Sequence, residues 1–344
     1  MNTEQRTANI LLRSAARRVL FVLIAVIAAL GMDAQTDSQL SHYFEVPNYY
    51  NPAAIGGSPL VRIRAGGRLQ WLGIKNAPMT FFGVADTKFK FINRFWGVGA
   101  AVQYEKAGLF RTINAGVQLG WKKTFGKCEL TVGVQPGLIT QTFKGSETII
   151  PDDDDYHTTG DEGIPTTDVA GTTFDLGAGV WFTHPRFWGG VSLLHALSPT
   201  IKFQTSGQGG GSGAEGEGEK RFEFTANRTL YFMAGGNIPI KNTLFELMPS
   251  VLFRTDFGFW NFEVTALARY NKFLSFGVGY RYDDSVYAVI AVEIKGFYIS
   301  YSYDYATSAI MKASSGSHEV MAGYSIKLDF SEKNKNRHKS IRIM

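Results

Sequence analysis

From about residue 61 onward the chain repeats with a period of two. In the stretch 95–104, Trp96, Val98, Ala100, Val102 and Tyr104 share one row. Gly97, Gly99, Ala101 and Gln103 share the other. In 113–121 the apolar row is Ile113, Ala115, Val117, Leu119 and Trp121, against Asn114, Gly116, Gln118 and Gly120. The stretches 174–182, 274–282 and 297–305 repeat the pattern, the last with Phe297, Ile299, Tyr301, Tyr303 and Tyr305 opposite Tyr298, Ser300, Ser302 and Asp304. Alternation over about ten residues marks strands with one buried face. An apolar row backed by a small or polar row is the pattern of a transmembrane β-barrel, apolar side to lipid. A soluble sandwich also alternates, but its strands are shorter, about five or six residues. The Gly and charge on the second row fit a wet lumen better than a dry sandwich core, and inward charges of both signs suit either an open aqueous pore or a salt-bridged, closed lumen.

The predicted fold is therefore all-β, a transmembrane antiparallel barrel. Strands are predicted near residues 61–71, 79–88, 95–105, 110–124, 128–143, 172–183, 187–197, 222–237, 244–255, 259–271, 273–282, 285–295, 297–306 and 317–330. That is about 14; ambiguity in 79–95 and 186–200 leaves 12 or 16 as alternatives. Bacterial barrels of this kind have even strand numbers, short periplasmic turns and longer outer loops. Connections after even-numbered strands are tight, such as Phe125-Gly126-Lys127 and His184-Pro185-Arg186. The two long ones, 144–171 and 198–221, follow odd strands. This parity places the long loops outside the cell.

The N-terminus reads as an export signal. Arg13, Arg17 and Arg18 precede the apolar run Val19–Leu30, followed by Gly31-Met32-Asp33-Ala34. Twelve apolar residues are too few for a membrane-spanning helix, which needs about 20. Basic region, short apolar core and small-residue exit make a secretory signal peptide, with cleavage expected after Ala34. The predicted organisation is a signal peptide over 1–34, a pre-barrel segment over 35–60, the barrel over 61–330 and a basic tail over 331–344. The lone Cys128 excludes an intramolecular disulfide and a cysteine-based metal site. Net charge is +5 with much of the excess at the two ends, which gives no support for nucleic-acid binding.

The two long loops are acidic. Asp152, Asp153, Asp154 and Asp155 are a weak calcium candidate, since carboxylates suit that ion but the spacing fits no standard calcium loop. Residues 207–219 are Gly-rich, acidic and of low complexity. Gly323, Tyr324, Ile326, Leu328 and Phe330 near the chain's end read as the terminal-strand signal for barrel insertion. Inward residues should include Glu263, Arg269, Arg281, Glu293, Lys295, Asp304, Lys327 and Asp329. Catalysis finds little support. Of the six histidines, His195 shares the predicted strand 187–197 with Ser192, but three residues apart they should face opposite ways. No cofactor motif stands in its required context. A Val292→Arg substitution on the lipid row should cost about 2–4 kcal/mol, and Ala291→Arg clearly less.

Three blocks carry a resemblance. The first is Gln39-Leu40-Ser41-His42-Tyr43-Phe44 with Asn51-Pro52-Ala53-Ala54 and Gly56. The second is Arg68-Leu69-Gln70-Trp71 with Gly73-Ile74 and Ala77-Pro78-Met79-Thr80. The third is Tyr303-Asp304-Tyr305 with Gly316-Ser317-His318-Glu319-Val320 and Gly323-Tyr324. In this order, with a barrel pattern between them, they resemble the PorP/SprF family of type IX secretion and gliding-motility outer-membrane proteins of Bacteroidetes. The resemblance implies a non-catalytic outer-membrane barrel that assists export or surface attachment of secreted proteins. Implied partners are type IX components including a peptidoglycan-linked periplasmic protein, secreted surface proteins or adhesins, and the lipid bilayer; no cofactor is implied. The alternative is a porin or small-solute transporter. Locally, Asn51-Pro52 reads as a turn before the first strand, and Trp71 as an interfacial anchor. His318 and Glu319 should open the last strand at the outer rim.

Overall fold

A computed structural model describes residues 37–147, 167–203 and 223–327. Fourteen antiparallel strands close a barrel. They are β1 (Leu60–Leu69), β2 (Met79–Phe91), β3 (Arg94–Ala107), β4 (Phe110–Phe125), β5 (Cys128–Lys144), β6 (Asp168–His184), β7 (Phe187–Leu194), β10 (Thr229–Gly236), β12 (Phe245–Thr255), β13 (Trp260–Tyr270), β14 (Leu274–Arg281), β15 (Ser285–Ile294), β16 (Phe297–Ala306) and β17 (Ser317–Lys327). Each pairs with its neighbours in sequence, and β1 pairs with β17 to close the ring. A two-residue piece, β11 (Ile238–Pro239), extends the edge of β12. Closure leaves no strand edge for lipid to meet, which is what a bilayer demands of β-structure.

The apolar rows face outward. Val117 and Val278 are 60% exposed and Ile299 62%, whereas Gln118, Ser302 and Asp304 on the facing rows are buried. Phenylalanines mark the short-turn end, among them Phe91, Phe125, Phe187, Phe273 and Phe297, all exposed. The two long connections, β5–β6 and β7–β10, lie at the same rim, opposite the short-turn end, as the parity of the sequence required. Two interruptions have identifiable causes. The β4–β5 ladder stops at Gly116↔Gly137 and resumes at Leu119↔Val134. Pro136 in that gap has no N–H to donate. The β7–β10 hairpin is shorter than its sequence pattern, because positive φ at His195 (52°) and Ser198 (45°) turns the chain inward. It ends in a small hairpin, β8 (Thr200–Lys202) with β9 (Glu223–Thr225). Ile201 and Ala226 of that region pack on Ile139, with Phe203 and Phe224 beside them.

The largest difference from expectation is in the lumen. Residues 37–59 precede the first strand in sequence but lie inside the barrel. Leu40, Ser41, His42, Tyr43, Val46, Asn48 and Ala53 have no exposed surface. The main buried cluster joins this segment to Phe82, Trp181, Tyr231, Leu252, Ala291, Tyr298 and Met321 of the wall. The glycine row is thus not a water-filled surface but space for a plug. A side chain at Gly133 would place its Cβ 2.5 Å from the Pro52 carbonyl oxygen, so only glycine lets the plug approach the wall there. The signal peptide, the Asp152–Asp155 cluster, residues 207–219, Leu328, Asp329, Phe330 and the basic tail lie outside the described residues.

Candidate functional site

The plug is built from short-range signals. Pro47 begins a single helical turn, Pro47–Tyr50, where its missing N–H costs nothing. Asn51 ends it and folds its side chain back, accepting from the Ala53 N–H at 2.9 Å. This is the turn that Asn-Pro promises, but it sits within the lumen rather than ahead of the first strand. Gly56 has φ of +61° and donates its N–H to Asp86 Oδ2 at 2.7 Å, turning the chain toward β1. Tyr43, Tyr49 and Tyr50 are buried, and burial drives all three phenols well above their ordinary range.

Ser41 and His42 sit on a knot of buried charge. Glu319 accepts the Ser41 N–H (2.7 Å), the His42 N–H (3.1 Å) and the His42 ring at Nδ1 (2.7 Å). A carboxylate has no proton to give, so the last contact puts the imidazole proton on Nδ1. Ser41 Oγ donates to Asp304 Oδ2 at 2.7 Å and accepts from Arg68 at 2.8 Å and Arg281 at 3.2 Å. Arg68 reaches Asp304 (2.8 Å) and Glu319 (3.2 Å). Arg281 reaches Glu263 (3.0 Å), Asp304 (3.2 Å) and Asp284 (3.0 Å). Arg68, Arg281, Glu263, Asp304 and Glu319 are each at most 2% exposed. Bare charges at this depth would be prohibitive; here each has a hydrogen-bonded counter-charge.

The three sequence blocks therefore meet at one place. Ser41 and His42 come from the first, Arg68 from the second, Asp304 and Glu319 from the third. Arg68 is directly opposite Glu319 in the β1–β17 ladder, across the seam that closes the barrel. Just beyond it, the Leu72 N–H donates to the Gly316 carbonyl and the Ser315 N–H to the Leu72 carbonyl, at 2.8 and 2.7 Å. Glu319 lies at the start of β17, as expected, but points into the lumen. His318 faces outward and meets the Tyr301 hydroxyl at 2.7 Å.

A second attachment ties the segment's first described residue to the wall of β6, β10 and β12. His195 bridges two carboxylates, Asp175 at Nδ1 (2.9 Å) and Asp37 at Nε2 (3.2 Å). Asp37 also accepts from the Tyr231 hydroxyl at 2.6 Å, and its carbonyl accepts from Arg254. Burial alone would lower the His195 pKa, but the two carboxylates outweigh it and hold it up to about 10. Burial would raise Asp37, but His195, Tyr231 and Arg254 hold it down to about 2. Ser192 and His195 do not face opposite ways. The positive φ at His195 breaks the alternation, and both side chains enter the lumen. Ser192 donates to the Tyr50 carbonyl at 2.7 Å, and both His195 nitrogens are held by carboxylates.

The other predicted inward residues divide. Glu263, Arg281 and Asp304 join the knot, and Arg269 pairs with Glu246 lower in the lumen. Lys295 is not inward: it occupies the β15–β16 turn with φ of 50° and is exposed, whereas Glu293 continues the inward row of β15 past Ala291 and lines a small cavity with Arg269 and Tyr298 at the lumen's end. Trp71 is two residues past β1, with φ of 51°. It is not on the lipid row; it lines a cavity of about 740 Å³ at the mouth with Asp37, Glu105, Arg254 and Trp260. Tyr324 faces lipid against Phe297, their ring centroids 4.3 Å apart, and Gly323 faces the lumen against Arg64. Ile326 lies on the same row as Tyr324. Among the described residues no group of three or more His, Cys, Asp or Glu side chains is arranged to hold a metal ion.

Residues 32–324 match the family model described as type IX secretion system membrane protein PorP/SprF. The chain belongs to that family. It is an outer-membrane, multi-pass β-barrel. Solved structures with a similar course include Acinetobacter baumannii Omp33 at 8% identity, covering 78% of this chain and 99% of that one, with a TM-score of 0.42. A Pseudomonas aeruginosa FadL homologue matches at 12% identity, 80% and 91% coverage and a TM-score of 0.40. The translocator domain of the Neisseria meningitidis autotransporter NalP matches at 11%, 83% and 95%, and 0.39. These scores are low, and the barrel assignment rests on the strand closure itself. Comparison with curated proteins finds no match.

Proposed function

We propose that this PorP/SprF barrel is a non-catalytic part of the type IX secretion and gliding machinery. It assists the export or surface attachment of secreted proteins such as adhesins, and works with periplasmic partners including a peptidoglycan-linked protein. The observation that carries this reading is the plug. A lumen filled by residues 37–59 and held by buried charge suits a platform better than a pore for solutes. Non-enzymatic action fits the engagement of Ser192 and His195 in structural bonds. The test is recovery of the tagged full-length protein from a detergent extract of the envelope. Co-recovery of secretion components or a surface adhesin supports the reading. A large steady single-channel conductance with no such partners would replace it with a porin.

A further inference from the structure

The two rims differ in charge. Among the described residues, the short-turn rim exposes nine cations: Lys90, Arg94, Lys123, Lys127, Arg186, Lys241, Lys272, Lys295 and Lys327. Its one exposed acid is Glu293. Every connection between strands at this rim has at least one of these cations in it or beside it. The opposite rim exposes four cations, Lys75, Lys202, Arg228 and Lys312, against three acids, Glu147, Glu223 and Asp283. The described part of β17 also ends at the short-turn rim, at Lys327, and the last 14 residues of the sequence hold five Lys or Arg and one Glu.

Anionic lipid would meet such charges from the side. Yet only Arg94 and Lys123 belong to the lipid-facing rows. Lys90 and Lys327 continue lumen-facing rows, beside buried Asp86 and Glu319 in alternation. Lys127, Arg186, Lys241, Lys272 and Lys295 are in the turns themselves, beyond the last paired residues and the phenylalanines that flank them. Seven of the nine are thus placed toward the end of the barrel rather than its flank. A cluster of one sign over an end face raises the local concentration and encounter rate of oppositely charged macromolecules.

We propose that this rim is a docking face for an acidic surface of a periplasmic protein. The proposal rests on the reading that the barrel works with periplasmic partners, and says where and by what chemistry one is held. Two experiments on the full-length protein test it. In the first, Lys127→Gln, Arg186→Gln, Lys272→Gln and Lys295→Gln are combined, and periplasmic partners are recovered from detergent extract at low and high salt. Recovery should fall at least tenfold in the variant at low salt. The wild type should lose its partner in about 1 M salt, where screening acts over ~3 Å. Heat-modifiable gel migration must match wild type, which separates docking from folding. In the second, a photo-crosslinking residue replaces Lys272 or Lys295, with Lys75 and Lys312 as controls at the other rim. An acidic periplasmic protein crosslinked from the first pair alone supports the proposal. Crosslinks to lipid only, or unchanged partner recovery by the variant, overturn it. If the variant keeps its secretion partners, the docking face fails and the functional reading stands. If wild type recovers none, that reading fails and the crosslinks alone decide the rim.

Discussion

The two faces of one strand are specified in different ways. On β15 the outer row, Val286, Ala288, Ile290 and Val292, meets lipid, a partner without shape. The inner row, Ser285, Tyr287, Val289 and Ala291, is buried, and its last three residues meet other side chains in the lumen. Lipid asks only that a side chain be apolar. The plug asks for particular volumes and hydrogen bonds, as the core of a soluble domain does. The outer row should therefore tolerate apolar exchange, and the inner row should tolerate little.

The largest effect is expected where the inner face holds charge. Glu319→Ala removes the acceptor for Ser41, His42 and Arg68 together and leaves a buried guanidinium short of a partner. Breaking one side of a buried pair costs about 3–5 kcal/mol. Urea unfolding from lipid vesicles measures this. A double substitution, Glu319→Ala with Arg68→Met, should recover part of the loss, since both charges are then gone. A cost below that of an ordinary surface change would mean that the plug is not held here.

The next test sets the two rows side by side. Ile290 is the midpoint of the outer row, while Val292 is two residues from the strand end. Ile290→Arg should cost about 2–4 kcal/mol, the range for a cation at the bilayer midplane. A water-filled lumen would make Ala291→Arg the milder change. The structure reverses that order, because Ala291 is 4% exposed and packed in the plug cluster. Overpacking and the burial of a new charge act together there. A cost at Ala291 below that at Ile290 would show the lumen to be open at this level.

These contrasts explain what the sequence made legible. The outer rows alternate over whole strands, so strand count, facing and turn parity all follow from local pattern. The plug leaves a fainter trace. Its hydrogen bonds span 278 positions from Ser41 to Glu319, and no periodicity connects them. Asn51-Pro52 announces a turn but not its place. Inward Gly133 and Gly179 have the same small surface whether they face water or a packed chain. What could have found the knot was the company kept by Arg68, Asp304 and Glu319. All three lie on inward rows and within motif blocks, and charges so placed need partners. His195 was misplaced for another reason: one left-handed residue past the end of β7 flips the face that alternation assigns.

A smaller effect separates the two attachments of the plug, since the Asp37–His195–Asp175 bridge is less buried than the knot. Its pH dependence has a definite sign. His195 is held up to about 10 from an ordinary 6.5, so its contribution is complete below 6.5 and is lost as pH rises toward 10. Asp37 is held down to about 2 from an ordinary 3.8, so its contribution is complete above 3.8 and is lost as pH falls toward 2. Both are complete only between about 4 and 6.5. Wild-type unfolding midpoints should therefore fall between pH 6.5 and 9.5 by more than those of His195→Gln. The amide can still bond to one carboxylate, but it carries no charge to lose. Asp37→Asn should flatten the same limb, because it removes a carboxylate that holds His195 protonated. Identical pH slopes in wild type and both variants would show that this bridge does not hold the plug.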